Sequence, residues 1–158
     1  MLNIVLFEPE IAVNTANISR TCYLTNTRLH LIRPLGFRIS DKVMRRVGLD
    51  YWEHVDLVVH NNFEDFIEYK NSTDKEARIF LSTTHAKKYY HEVEYKDGDY
   101  IMFGSESKGV YDYIHDALRD NGIKIPMRSD SDRSLNLCNS ANIILYEAYR
   151  QIGFNKMG

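Results

Sequence analysis

Leu2-Asn3-Ile4-Val5-Leu6-Phe7, stopped by Glu8-Pro9-Glu10, and Leu29-His30-Leu31-Ile32, stopped by Arg33-Pro34, enclose a stretch of mixed polarity from Asn14 to Thr25. The outer runs are short and nearly continuous in apolar residues, as strands buried on both faces are. The stretch between them predicts a helix, with Asn14 or Thr15 at its N-cap. Strand, helix and strand in succession argue for an α/β fold, a parallel sheet covered by helices on both faces.

The same alternation continues downstream. Strands are predicted at Asp56 to His60, Arg78 to Ser82, Tyr100 to Phe103 and Ile123 to Met127. Ser40-Asp41 predicts the cap of a short helix running to Arg46, before Gly48. Phe63, Phe66 and Ile67 place a helix at Phe63 to Tyr69, and Tyr111 to Arg119 reads as another. The last helix is expected from about Asn139 to Ile152, where Ala141, Leu145, Ala148 and Ile152 make one apolar stripe that Ile144 widens. No repeat and no linker divides the chain, so 158 residues read as one domain. In a parallel sheet, ligands bind beyond the carboxyl ends of the strands. Three polar, irregular segments follow strands in this way: Glu8 to Arg20, Phe103 to Val110 and Ile125 to Asn139.

Composition narrows the class. The chain is 44% hydrophobic and 27% charged, with net charge −2, which excludes a disordered chain. Eight glycines and three prolines exclude collagenous or low-complexity character. No apolar run approaches the roughly 18 residues of a membrane span. Glu8, Pro9 and Glu10 end the first apolar run too soon for a signal peptide. Cys22 and Cys138 form no CxxC pair and read as reduced thiols of a cytoplasmic protein.

Charge is unevenly spread. Residues 1–50 carry a net +3, residues 51–120 a net −7 and residues 121–158 a net +2. Arg28, Arg33, Arg38, Lys42, Arg45 and Arg46 crowd together, as a local polyanion-binding stretch does and as a solvated surface face also does.

Several chemistries lack their motif. No Gly-x-Gly occurs, so the dinucleotide fingerprint is absent. Gly104 and Gly109 have P-loop spacing, but Val110-Tyr111 stand where the phosphate-binding Lys and the Ser or Thr belong. His91-Glu92-Val93-Glu94-Tyr95 has Tyr in place of the second zinc-binding His, and no metal site is expected. Gly104-Ser105-Glu106-Ser107-Lys108-Gly109 does not fit a nucleophile elbow.

The three strand-end segments remain. In the first, Asn14, Asn17 and Arg20 recur at helical spacing, where a phosphate or ribose, or merely a surface, is met. In the second, Glu106 is an acceptor between Gly104, which admits close approach, and Gly109, which permits a turn. In the third, Ile125-Pro126-Met127 is followed by Arg133-Ser134-Leu135-Asn136-Leu137-Cys138-Asn139, in which leucines alternate with polar residues. That pattern reads as a loop turning its backbone towards a ligand, or as a long helix-capping loop.

In this order the segments resemble the SPOUT superfamily of RNA 2′-O-ribose methyltransferases, and most closely its short tRNA (cytidine(34)-2′-O)-methyltransferase type. Leu2 to Ile11, Gly48-Leu49-Asp50-Tyr51 and Asp97-Gly98-Asp99-Tyr100 are also similar to that family, so the resemblance runs from Met1 to about Phe154. Ala12 and Ala16 stand where the family usually has Pro and Gly, Ser105 where it has Pro, and Cys138 where it has Ser; Arg128 to Asp132 is one residue longer than is common.

The resemblance implies a mostly parallel sheet closed by a C-terminal deep trefoil knot, in a homodimer. It implies S-adenosylmethionine as methyl donor, held at Ser82, Thr83, Gly104, Ile125, Ser134 and Leu137, with no metal. It implies transfer to the ribose 2′-hydroxyl of the wobble nucleotide (cytidine or 5-carboxymethylaminomethyluridine) in the anticodon stem-loop of a tRNA. Arg20 is the implied active-site arginine, with Asn14, Glu106, Asn136 and Tyr146 as further candidates. Under this reading Arg28, Arg33, Arg38, Lys42, Arg45 and Arg46 contact RNA phosphates. A methyltransferase for another tRNA or ribosomal RNA position, and a non-catalytic RNA-binding protein on the same fold, are the other readings.

Overall fold

Alternation along the first strand decides which layers cover the sheet. Ile4 and Leu6 join one buried cluster, and Val5 and Phe7 join another, because successive strand side chains point to opposite faces. This is the computed structural model of the chain, and it describes residues 1–46, 50–155 and 157–158. The strands are β1 (Asn3–Phe7), β2 (Arg28–Ile32), β3 (Leu57–His60), β4 (Ile79–Ser82), β5 (Lys88–Tyr89), β6 (Tyr100–Phe103) and β7 (Gly122–Lys124). The helices are α1 (Ala12–Leu24), α2 (Asp41–Arg46), α3 (Phe63–Thr73), α4 (Asp112–Ala117) and α5 (Leu137–Ile152), with short 3-10 turns at Trp52–His54 and Arg119–Asn121.

Among the described residues the strands form one parallel sheet in the order β3-β2-β1-β6-β4-β7-β5. On one face Ile18 and Cys22 of α1 and Ala141, Ile144, Leu145 and Ala148 of α5 pack over Ile4, Leu6, Leu29 and Leu31. On the other, Phe63 and Phe66 of α3 and Ile114 of α4 pack over Val5, Phe7, Ile32 and Met102. Burial on both faces is why β1 reads as an apolar run rather than an alternation. The order reverses between β1 and β6, so the loops leaving these neighbouring strands come together at the carboxyl end.

The amino end is closed by ion pairs. Arg28 Nε donates to both oxygens of Asp56 at 2.9 and 3.0 Å, and its Nη1 donates to the Tyr69 hydroxyl. Arg78 grips the buried Asp99 through Nε at 3.1 Å and Nη2 at 2.6 Å. The N-terminal ammonium pairs with Asp97. Within β2, His30 Nδ1 lies 3.0 Å from His60 Nε2, and His30 Nε2 lies 3.2 Å from Asn3 Oδ1. The Asn3 amide nitrogen faces carbonyl oxygens, so its Oδ1 accepts and His30 carries its proton on Nε2. His30 Nδ1 therefore accepts from His60, and burial pushes the pKa of both rings down.

Four expectations are corrected. Helix α1 begins at Ala12, and its N-cap is Ile11 with no side-chain cap, not Asn14 or Thr15. The expected Ile123–Met127 strand ends at Lys124; Pro126, without an N–H, could not have continued the ladder. Helix α5 starts at Leu137, two residues before Asn139, because the Asn136 side chain caps it by accepting from Cys138 N at 2.8 Å. The two-residue edge strand β5 was not expected at all. The short helix ending at Arg46 is present, while Gly48 lies outside the described residues.

Candidate active site

The loop after β6 is pinched at its base. Ser105 and Gly109 exchange two backbone hydrogen bonds of 3.0 Å each, and Gly109 takes φ +69°. A Cβ on Gly104 would stand 2.5 Å from the backbone of Gly109, so only glycine lets the pinch close. Glu106 projects from this loop towards the start of α1. It accepts from the backbone N–H of Glu10 at 2.8 Å and of Ile11 at 3.1 Å, and from Asn14 Nδ2 at 3.3 Å. Glu106 thus ties the loop after β6 to the two residues that lead into α1.

The tie is reciprocal. Glu10 Oε1 accepts from Ser107 N at 3.1 Å and from Ser107 Oγ at 2.6 Å. Those two bonds hold the Glu10 carboxyl below the ordinary carboxylate range. Asn14 Oδ1 in turn accepts from Asn136 Nδ2 at 3.0 Å, and Asn136 caps α5. A continuous chain of hydrogen bonds, Glu106–Asn14–Asn136–Cys138, therefore joins all three strand-end segments. The third segment is folded back on itself, with Leu135 N against Met127 Sδ at 3.4 Å and Arg128 paired to Asp130.

These segments wall a cavity of about 610 Å³ at the carboxyl ends of β4, β6 and β7. Ser82, Thr83, Gly104, Ile125, Ser134 and Leu137 all line it, as do Asn14, Glu106 and Asn136. Arg20 and Tyr146 do not. Arg20 is exposed on α1, where its Nε donates to the Tyr51 hydroxyl at 3.0 Å, a bond that raises its pKa. Tyr146 is exposed on α5 beside Phe154.

The basic stretch divides. Arg28 opens β2 at the amino end of the sheet, away from the cavity, and is paired with Asp56. Arg33 follows β2 at the carboxyl end and donates to Asn61 at 3.1 Å. Arg38, Lys42, Arg45 and Arg46 are exposed on or just before α2.

A family model described as the SpoU rRNA Methylase family matches residues 1–146. The chain belongs to the SpoU rRNA methylase family. A curated relative from Yersinia pestis, named tRNA (cytidine(34)-2′-O)-methyltransferase, is 47% identical over 156 residues, covering 98% of this chain and 96% of its own. A solved structure from Bacillus anthracis superposes with a TM-score of 0.90 at 39% identity, covering 99% of this chain and 98% of that one. A structure described as giving insights into the 2-OH methylation of C/U34 on tRNA superposes with a TM-score of 0.87 at 41% identity, covering 96% of each chain.

Within this SpoU methylase, sequence reading missed Glu10, Ser107 and Tyr51 as site residues. Glu10 and Ser107 had a signal, since both lie in segments singled out for their position after strands. Tyr51 was noted only as part of a familiar run, of which Gly48 and Leu49 lie outside the described residues.

Proposed function

We propose that the chain is a tRNA ribose 2′-O-methyltransferase that uses S-adenosylmethionine and modifies the wobble nucleotide, cytidine or 5-carboxymethylaminomethyluridine, of the anticodon stem-loop. The cavity carries this reading. Its volume suits a nucleoside-sized ligand, for which pockets run about 300–1,000 Å³. The donor set suits one as well: the hydroxyls of Ser82, Thr83 and Ser134 offer polar contacts, and Ile125 and Leu137 offer an apolar wall for a base. Glycine at position 104 keeps a side chain from filling the space.

Bound there, S-adenosylmethionine supplies a methyl group already activated on sulfur, for a ribose 2′-hydroxyl to take. Glu106, Asn14 and Asn136 act by holding the three loops at fixed separation, so the enzyme's contribution is largely one of orientation. Arg20 cannot serve as a simple base, because a guanidinium stays protonated. It grips the phosphate next to the target and stabilises charge developing on the 2′-oxygen, and the proton leaves to another group or to water.

Arg20 lies outside the cavity of its own chain, and the homodimer is how it reaches one. Val13 (54% exposed) and Leu24 (67%) on α1, and Ile143, Tyr146 and Phe154 on or after α5, support a second copy packing against this side. The exposed Arg38, Lys42, Arg45 and Arg46 take RNA phosphates, with Arg33 beside them, so binding weakens as salt rises. One sheet between two helical layers supports one SPOUT domain over residues 1–158. The C-terminal trefoil knot and a cytoplasmic location belong to the same reading; among the described residues no helix is long and apolar enough to cross a membrane.

Incubation with a tRNA pool and methyl-labelled donor, followed by nucleoside mapping, tests the proposal. Label in the 2′-O-methyl group of nucleotide 34 is expected. Label at another position, or in ribosomal RNA instead, overturns the substrate; no label together with no heat of donor binding overturns the activity.

A further inference from the structure

An exposed arginine samples many rotamers, yet Arg20 is held. Its Nε donates to the Tyr51 hydroxyl at 3.0 Å, and its guanidinium carbon lies 5.7 Å from the centre of the Tyr51 ring. The Tyr51 ring is itself stacked on Tyr23, with centroids 5.1 Å apart and planes at 18°. Tyr23 stands three residues after Arg20 on α1, so the two share one strip of helix surface. Tyr51 reaches them from the segment just before the Trp52–His54 turn.

We infer that Tyr51, braced by Tyr23, is a positioning residue that holds the Arg20 guanidinium ready for the sugar–phosphate. The choice of donor gives the reason. A hydrogen bond made at Nε fixes the guanidinium plane and leaves the outer fork untouched. Among the described residues, no side chain or carbonyl accepts a hydrogen bond from either terminal nitrogen of Arg20. Those nitrogens form the planar pair that meets a phosphate in two parallel hydrogen bonds. The ring stack supplies a rigid backing, since an aromatic side chain has few torsions to lose. This inference rests on the phosphate-gripping role proposed above for Arg20.

Four proteins test it: wild type, Tyr51→Phe, Arg20→Lys and the double variant. Each is assayed on tRNA at saturating donor, with its melting temperature recorded. The Arg20 Nε–H signal is followed by NMR in wild type and Tyr51→Phe. Phenylalanine keeps the ring and removes only the hydroxyl. Tyr51→Phe is expected to lower kcat about tenfold, the worth of one charge-assisted hydrogen bond, with KM within twofold and the melting temperature unchanged. The Nε–H proton, slow to exchange with water in wild type, should exchange as a free arginine's does. In the Arg20→Lys background, where no Nε exists, the same change should have no further effect. Wild-type kcat in Tyr51→Phe overturns the inference, as does an equal fall of kcat in both backgrounds. An unaltered Nε–H signal overturns it too. Arg20→Lys at wild-type activity removes the role assigned to Arg20 itself and the inference with it; a held Nε–H alongside that result locates the failure in the catalytic reading rather than in the clamp.

Discussion

At the amino end of the sheet Arg28, Arg78 and the N-terminal ammonium each meet a carboxylate. At the carboxyl end both oxygens of Glu106 and one oxygen of Glu10 are also engaged, but with backbone N–H groups, a serine hydroxyl and an amide. Opposite charges brought together tie the starts of neighbouring strands to one another. A carboxylate spent on backbone N–H groups fixes two loops relative to each other and leaves room beside them. The first end holds the sheet together, and the second sets the shape of a cavity. Substitutions at the two ends should therefore separate stability from activity.

The sharpest separation is expected at Arg78. Arg78→Ala leaves the carboxylate of Asp99, a nearly fully buried residue, with the Lys96 N–H as its remaining hydrogen-bond partner. Removing one partner of a buried pair costs about 3–5 kcal/mol; because Arg78 is partly exposed, about 3 kcal/mol is expected here by urea unfolding. The folded protein should keep its kcat, and a lost kcat at unchanged stability would erase the distinction between the ends.

The next effect comes from pH. Burial first, then the neighbouring His60 and Arg28, push the His30 pKa down to about 3. The unfolded chain takes up that proton near pH 6.5 and the folded chain does not, so the stability is present above pH 6.5 and falls as the solution is acidified. Between pH 8 and pH 5 the loss should be about 2 kcal/mol, in a range where most carboxylates stay ionised. Flat stability over that range in equilibrium melts would show that His30 is protonated in the fold.

The smallest effect is expected at Glu106. Glu106→Gln keeps the size of the side chain but replaces one accepting oxygen by a donor, which cannot take the N–H groups of both Glu10 and Ile11. Donor affinity by calorimetry should weaken about tenfold, equal to about 1.4 kcal/mol, with less than that lost from overall stability. A larger loss of stability than of affinity would place Glu106 with the residues that hold the sheet together.

Much of this was legible in sequence where the signal is local. The apolar runs at Leu2–Phe7 and Leu29–Ile32 gave strands, and the Ala141, Leu145, Ala148, Ile152 stripe gave the last helix. Residues whose role depends on distant partners were read less well. Asn14 or Thr15 reads as a helix cap, because such residues often are, but Asn14 lies inside α1 and its side chain is held by Glu106, 92 residues later in the chain. Leu137 reads as part of a ligand-facing or a helix-capping loop; it opens α5, with Asn136 accepting from Cys138 N–H, and it also lines the cavity. Arg28 looked like its basic neighbours until Asp56, the residue before β3, proved to be its partner. Asn14, Glu106 and Asn136 stand in segments whose polarity after a strand singles them out, whereas Ser82, Thr83, Gly104, Ile125, Ser134 and Leu137 come as donor contacts only from the family resemblance.

The cavity draws on Asn14 near the start of the chain and on Ser140 near its end. A chain still being made on the ribosome therefore has no complete cavity until α5 has emerged and docked. Once the donor is bound, its binding energy reinforces the whole fold rather than one lobe, about 2.7 kcal/mol at a hundredfold excess over Kd. Occupancy of the cavity thus reports a chain folded through α5, and a copy lacking that helix would stay unloaded.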